Sequence, residues 1–104
     1  MTYKIEFISE AAKDYKNLDG SIMKVVNKKI EELAKNPLLG EQLGNKFNID
    51  LSEFFKLYVA KKRYRIVYRL ITPKEIEIIA VWGIGRREKE KIYKIIGSRL
   101  MGAD

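Results

Sequence analysis

The spacing of apolar residues changes from helical to alternating about halfway along this chain of 104 residues. In the first half, Ile22, Val26, Ile30 and Leu33 follow one another at three- and four-residue intervals, which place them on one face of a helix. Between residues 54 and 82, apolar and polar residues alternate, as is typical of strands with one buried face. Helices followed by neighbouring strands predict an α+β fold, with helices packed against an antiparallel sheet.

Turn and capping residues set the limits of the first predicted elements. An alternating segment at residues 3–8 is typical of a strand. Ser9 is the expected N-cap of a short helix that continues to Asp19. A second helix begins directly after it and should end at Asn36, because the residue before a proline disfavours helical backbone.

The second half of the chain is predicted to form three strands and a last helix. Residues 37–52 have no clean period and are expected to form a loop with room for a short strand. The strands are expected at residues 54–60, 64–71 and 75–82, followed by a flexible glycine-rich connection at 83–85 and a helix at 88–100. The predicted order is β-α-α-β-β-β-α in a single domain of residues 1–104. It is an antiparallel sheet with a helical hairpin packed on one face and a C-terminal helix.

Two missing residue types limit the chemistry of the chain. It has no cysteine and no histidine, so disulfides and thiolate metal sites are impossible, and both the commonest metal ligand and the usual acid/base near neutral pH are absent. We therefore expect a mechanism without metal or cofactor. No apolar run is long enough to cross a bilayer, and the first residues lack a signal-peptide pattern, so we expect a cytoplasmic location.

The net charge of +7 is concentrated in one stretch. No acidic residue lies between Glu53 and Glu75, and the basic residues there are Lys56, Lys61, Lys62, Arg63, Arg65, Arg69 and Lys74. A solvated basic edge strand would explain this pattern, since lysine and arginine discourage aggregation. A surface for a polyanion would also explain it, and an acidic protein partner would be attracted to the same surface.

Strand alternation sorts these side chains onto faces of the predicted sheet. Lys56 and Tyr58 share one face, and Arg65 and Arg69 share a face of the next strand. If the helices cover the more apolar face, these four groups lie together on an open one. Converging cations can bind phosphate, but polar outward positions are also ordinary in a half-buried sheet. The pattern alone favours neither interpretation.

Three segments resemble the RelE/ParE toxin superfamily in sequence and in order. The segment KDYKNL at residues 13–18 resembles the early helix of these toxins. The segment YRIVY at residues 64–68 is similar to their central strand, and GRREKEKIY at residues 85–93 is similar to the RelE segment after the last strand. Together they span nearly the whole chain, so the chain is identified as a member of this superfamily, and as RelE-like within it.

The resemblance implies a ribosome-dependent endoribonuclease. RelE toxins bind the ribosomal A site and cut the messenger RNA there, with the 2′-hydroxyl attacking the adjacent phosphate and no metal involved. Arg65 and Arg87 would stabilise the charge that develops on the phosphate, since fixed guanidiniums act most strongly in the transition state. Lys56 would be the base, because neighbouring cations should lower the pKa of its amine. Tyr93 would hydrogen-bond the phosphate or stack on a base, unless it only packs the last helix on the sheet.

The remaining RNA contacts are assigned to the same basic surface. The expected RNA-binding residues are Tyr58, Lys61, Lys62, Arg63, Arg69 and Arg86. Two of them depart from the RelE pattern. Tyr58 stands where RelE has a second lysine, which leaves the identity of the base open, and Arg86 replaces another lysine.

Two other functions remain open at this point. A ParE-like toxin would poison DNA gyrase without cutting RNA, and Tyr58 in place of a lysine is compatible with that reading. A nucleic-acid-binding module without toxicity would use the same charges. The resemblance also implies partners: a cognate antitoxin whose acidic or amphipathic segment wraps the toxin and, for the RelE-like function, the ribosome with its messenger RNA.

Overall fold

The computed structural model describes residues 3–46, 49–71, 78–86 and 91–102. Within these ranges the helices are α1 (Ser9–Lys16), α2 (Gly20–Lys35) and α3 (Lys91–Met101). The strands are β1 (Lys4–Phe7), β2 (Glu41–Gln42), β3 (Asn45–Lys46), β4 (Ile49–Asp50), β5 (Phe54–Val59), β6 (Tyr64–Ile71) and β7 (Ile78–Arg86). The predicted α+β class is confirmed.

The turn between the first two helices is fixed by Asp19. Its carboxylate accepts hydrogen bonds from the backbone N–H groups of Ser21 at 3.0 Å and Ile22 at 3.1 Å, and so caps α2. Asp19 must be extended to do this, so α1 ends three residues earlier than predicted. The prediction that Ser9 is the N-cap of α1 is wrong, because Ile8 holds that position without a side-chain cap. The end of α2 before Asn36 is confirmed.

The main sheet has the strand order β1-β7-β6-β5-β2. β1 runs parallel to β7, and the other three pairs are antiparallel. In the loop predicted at residues 37–52, three two-residue strands occur instead of one. The Tyr68 hydroxyl donates to the Pro37 carbonyl at 2.8 Å and accepts from the Gly40 N–H at 2.9 Å. These bonds hold the start of the loop where β2 can pair with β5.

Strand β7 is longer than predicted because helix α3 lies directly on its glycines. A Cβ atom at Gly83 would come 2.6 Å from Ile96 Cδ1, and one at Gly85 would come 3.1 Å from Ile92 Cδ1. The segment predicted as a flexible connection is therefore regular strand that a helix packs against. The first predicted residues of this strand, 75–77, and of the last helix, 88–90, lie outside the described residues.

Helices cover both faces of the sheet, which is the main departure from the sequence-based expectation. On one face, Val26 and Leu33 of α2 pack against Leu57, Ile66 and Ile79. The other face carries a second core, in which α3 packs on β5, β6 and β7. Its members are Leu43, Leu51, Phe54, Val67, Ala80, Trp82, Ile92, Tyr93 and Ile96. A bulge at Trp82 adds one residue to β7 opposite the Val67–Tyr68 step of β6.

A partly buried ion pair joins the first helix to the last. Arg99 Nη1 and Nη2 donate to the two carboxylate oxygens of Asp14 at 2.7 and 2.9 Å, and Nη1 also donates to the Trp82 carbonyl at 2.8 Å. The Ile84 N–H donates to the same carboxylate at 3.1 Å. One aspartate thus connects α1, β7 and α3, and helps to fix α3 on its face of the sheet.

Candidate functional site

The register of β5 and β6 brings three of the predicted site residues together. Tyr58 lies directly opposite Arg65, and Lys56 lies two residues before Tyr58 on the same face of the sheet. Tyr93 reaches this face from α3. We refer to Lys56, Tyr58, Arg65 and Tyr93 as the Arg65 cluster.

Arg65 is the centre of this cluster and is only 3% exposed. Its guanidinium carbon lies 5.2 Å from the centre of the Tyr58 ring and 4.8 Å from the centre of the Tyr93 ring. Both distances are within the range of cation–π attraction, which is stronger away from water. The two rings therefore position the guanidinium between them.

Two nitrogens of Arg65 have unused hydrogen-bonding capacity. Nε and Nη1 are buried and have no acceptor among the residues that the structure describes. Buried charged donors in this state are costly, and they are rare in folded proteins. A functional explanation is that they are kept for an anion. A guanidinium presents a planar fork that matches the oxygens of a phosphate.

The expected exposure of Arg65 is wrong, and the cause is helix α3. The sequence places the arginine on an open face, but α3 packs Ile92, Tyr93 and Ile96 on that face. Burial makes the residue a stronger electrostatic group, because its charge is less screened by water. It also means that substitutions at Arg65 affect packing as well as charge.

Lys56 lies beside two groups that favour its charged form. Its Nζ donates to the Tyr58 hydroxyl at 3.1 Å and lies 3.7 Å from the Glu41 carboxylate. Partial burial acts to lower the pKa of Lys56, but the Tyr58 hydrogen bond and the electrostatic influence of the Tyr93, Tyr58 and Glu41 side chains outweigh it, so the pKa is raised. The expectation that neighbouring cations lower the pKa of this amine is therefore wrong.

Tyr93 is completely buried and belongs to the core beneath α3. Its hydroxyl oxygen is buried, as Nε and Nη1 of Arg65 are. Tyr93 thus packs the last helix on the sheet, which is one of the two roles expected for it. What Tyr93 contributes to the site is its ring, which lies against the Arg65 guanidinium.

The basic turn between β5 and β6 divides its cations between the two faces. Ala60, Lys61 and Lys62 have positive φ angles of 53°, 56° and 67°. Residues other than glycine seldom adopt this left-handed backbone conformation. Lys62 Nζ lies 5.7 Å from the centre of the Tyr58 ring. Lys61 and Arg63 instead line a cavity against α2. Lys62 is therefore the cation of this turn that lies beside the Arg65 cluster.

Two further arginines predicted to bind RNA, Arg69 and Arg86, contact other side chains in the described ranges. Arg69 forms a 2.6 Å ion pair with Glu53, which reduces its availability for phosphate. Arg86 lies opposite Tyr64 on the face that the helical hairpin covers, with Nε 3.4 Å from the Tyr64 hydroxyl. Arg87 lies outside the described residues, so its role stays a prediction.

Sequence reasoning missed Glu41, which contacts Lys56. This residue lies on β2, a two-residue strand in a segment with no periodic pattern, and only the pairing of β2 with β5 sets it opposite Lys56. The described residues contain no group of three or more histidine, cysteine, aspartate or glutamate side chains that could hold a metal ion. In the same part of the chain, no helix is long and apolar enough to cross a membrane.

Comparisons with known proteins agree on one superfamily. The model of a family described as the ParE toxin of the type II toxin–antitoxin system parDE matches residues 5–90. The mRNA interferase toxin RelE of Escherichia coli K12 is 25% identical over 101 residues, which cover 97% of this chain and 100% of that protein. A RelE-like toxin protein of Escherichia coli is 27% identical over 100 residues, or 96% of this chain and 99% of that one.

Solved structures show the same fold. A mutant of Escherichia coli RelE in the free state superposes with a TM-score of 0.74 at 23% identity, over 95% of this chain and 98% of that one. The toxin–antitoxin complex RelBE2 of Mycobacterium tuberculosis gives a TM-score of 0.67 at 22% identity, over 84% of this chain and 100% of that one. The fold of this chain, with helices on both faces of the sheet, is therefore one that solved structures already represent.

Proposed function

Because this chain belongs to the ParE toxin family of type II toxin–antitoxin systems, we propose that it is an endoribonuclease toxin that cuts messenger RNA. The relatives named as RelE toxins, one of them an mRNA interferase, align over nearly its whole length. The family description also supplies a partner, since a type II toxin is paired with a protein antitoxin. Action on the ribosomal A site, and hence in the cytoplasm, is part of the proposal.

The observation that carries the proposal is the buried guanidinium of Arg65. Two of its nitrogens have no acceptor within the described part of the chain, and Lys56 and Lys62 add positive charge around the neighbouring Tyr58. In-line attack by a 2′-hydroxyl adds negative charge to the non-bridging phosphate oxygens. Fixed cations in a poorly solvated site stabilise that charge more in the transition state than in the ground state.

A gyrase poison is the second candidate, and the match to a family named for ParE favours it. The two candidates differ in target, so parallel assays separate them. The purified toxin would be added to ribosome-bound message, to free message and to a supercoiling reaction with DNA gyrase. The proposal expects cuts in the ribosome-bound message and normal supercoiling. Intact message together with inhibited supercoiling would contradict it.

Binding to RNA is expected to weaken steeply as salt rises. The stretch between Glu53 and Glu75 carries seven basic residues and no acid, and each phosphate that these residues neutralise releases counterions. The logarithm of the binding constant should therefore fall linearly with the logarithm of the salt concentration. Fluorescence anisotropy with a labelled single-stranded RNA measures this slope. A slope near zero would contradict a nucleic-acid interface here.

A further inference from the structure

Tyr58 is surrounded by positive charge from three parts of the chain. Lys56 Nζ from its own strand lies 5.1 Å from the centre of its ring, Arg65 Cζ from β6 lies 5.2 Å away, and Lys62 Nζ from the turn lies 5.7 Å away. Nearby positive charges favour the ionised form of an acid. This environment therefore stabilises a phenolate at Tyr58.

The hydroxyl of Tyr58 also has a direct proton partner. It accepts a hydrogen bond from Lys56 Nζ at 3.1 Å. The other groups around the pair are the Glu41 carboxylate, 3.7 Å from Lys56 on the β2 side, and Tyr93, which reaches Arg65 from α3. The hydrogen bond to Tyr58 and the nearby Glu41 carboxylate favour the ammonium form of Lys56, which can give a proton.

We propose that Tyr58 and Lys56 form the base–acid pair of the RNA cleavage, with the Tyr58 phenolate as the base and the Lys56 ammonium as the acid. This inference rests on the proposed nuclease function. It assigns a catalytic role to the residue that departs from the RelE pattern, where a lysine would stand. The chain has no histidine, and the acidic residue that the structure places against Lys56 is Glu41, which makes this carboxylate the rival base.

In the proposed step, Tyr58 gains one proton and Lys56 loses one. The Tyr58 phenolate takes the proton of the 2′-hydroxyl, and the 2′-oxygen forms a bond to the adjacent phosphorus. The bond from phosphorus to the 5′-oxygen breaks, and that oxygen takes a proton from the Lys56 ammonium. The products are a 2′,3′-cyclic phosphate and a 5′-hydroxyl. The Tyr58 phenol then returns its proton to the Lys56 amine across their hydrogen bond, which restores both groups.

The test is the pH dependence of single-turnover cleavage of ribosome-bound message. Tyr58→Phe should cleave about a hundredfold or more slowly, because a general base contributes on this scale. It should also lose the rise in rate with pH that the wild type shows on its acid side. Installing 3-fluorotyrosine at position 58, whose phenol is more acidic, should move that rise to lower pH. Tyr64→Phe removes a phenol hydroxyl on the other face of the sheet and should keep the wild-type rate and profile.

If the wild type cleaves and Tyr58→Phe matches it in rate and pH profile, the pair is wrong. If Glu41→Gln instead of Tyr58→Phe removes the acid-side rise, the carboxylate is the base and the pair is again wrong. A wild type that cuts no message overturns the proposed function, and the pair with it. If Tyr58→Phe fails to fold, the fluorotyrosine profile decides, and an unmoved profile overturns the pair.

Discussion

Replacing Arg65 by methionine is expected to lower the single-turnover cleavage rate by about a hundredfold or more, the usual scale for losing one preorganised donor. The protein should nevertheless remain as stable as the wild type or become more stable. Arg65 is 3% exposed and has two nitrogens with no acceptor in the described ranges. An apolar side chain of similar length removes that desolvation cost while still filling the space beside the Tyr58 and Tyr93 rings. Single-turnover kinetics and thermal unfolding measure the two effects.

Methionine is a sharper test than alanine at this position. Alanine would also remove the packing of the arginine stem, so lost activity could reflect damage to the fold. Arg69→Met is a matched control from the same strand, because Arg69 is paired with Glu53 and partly exposed. Its rate should fall much less than that of Arg65→Met. Equal losses in the two variants, or a folded Arg65→Met protein that cleaves at the wild-type rate, would contradict the assignment of Arg65.

Replacing Asp14 by alanine is expected to reduce the free energy of unfolding by about 3 kcal/mol, the scale for breaking a buried ion pair by removing one partner. The substitution leaves the Arg99 guanidinium, whose side chain is 15% exposed, without its carboxylate. It also removes the acceptor of the Ile84 N–H. For a domain of this size, the melting temperature should fall by roughly 12–24 °C. Calorimetry or circular dichroism measures this change.

A surface pair supplies the control for Asp14. Glu32→Ala breaks the 3.2 Å pair between Lys29 and Glu32 on the exposed side of α2 and should cost less than about 0.5 kcal/mol. The double substitution Asp14→Ala/Arg99→Met should recover part of the loss, because it leaves no buried charge unpaired. Similar losses for Asp14→Ala and Glu32→Ala would mean that the pair does not hold α3 in place.

The elements that follow from local signals could be predicted from the sequence. The limits of β6 follow from its alternating residues, and the end of α2 follows from Asn36 and the proline after it. The start of α1 was predicted one residue late, since Ile8 and not Ser9 is its N-cap. Ser9 and Asp19 are both good capping residues, but only Asp19 occupies an N-cap position and accepts hydrogen bonds there with its side chain.

The environment of the site could not be predicted, because it depends on contacts between distant segments. Alternation correctly places Tyr58 and Arg65 on one face of the sheet. The residues that β6 contributes to this face make it look polar when that strand is considered alone. It becomes a core only when Val67 is joined by Phe54 and the bulged Trp82 from neighbouring strands. Helix α3 packs on this apolar patch and so buries Arg65. The same packing explains why a glycine-rich segment that looks flexible is strand.

The most direct test of the central claim is the chemistry of the cut ends. Purified wild-type toxin would be mixed with ribosomes programmed with a defined message, and the ends of the fragments would be mapped and identified. The account predicts cuts in the A-site codon that leave a 2′,3′-cyclic phosphate and a 5′-hydroxyl, with about a hundredfold less product from Arg65→Met in the same time. An intact message, or equal cutting by wild-type toxin and a folded Arg65→Met variant, would contradict it.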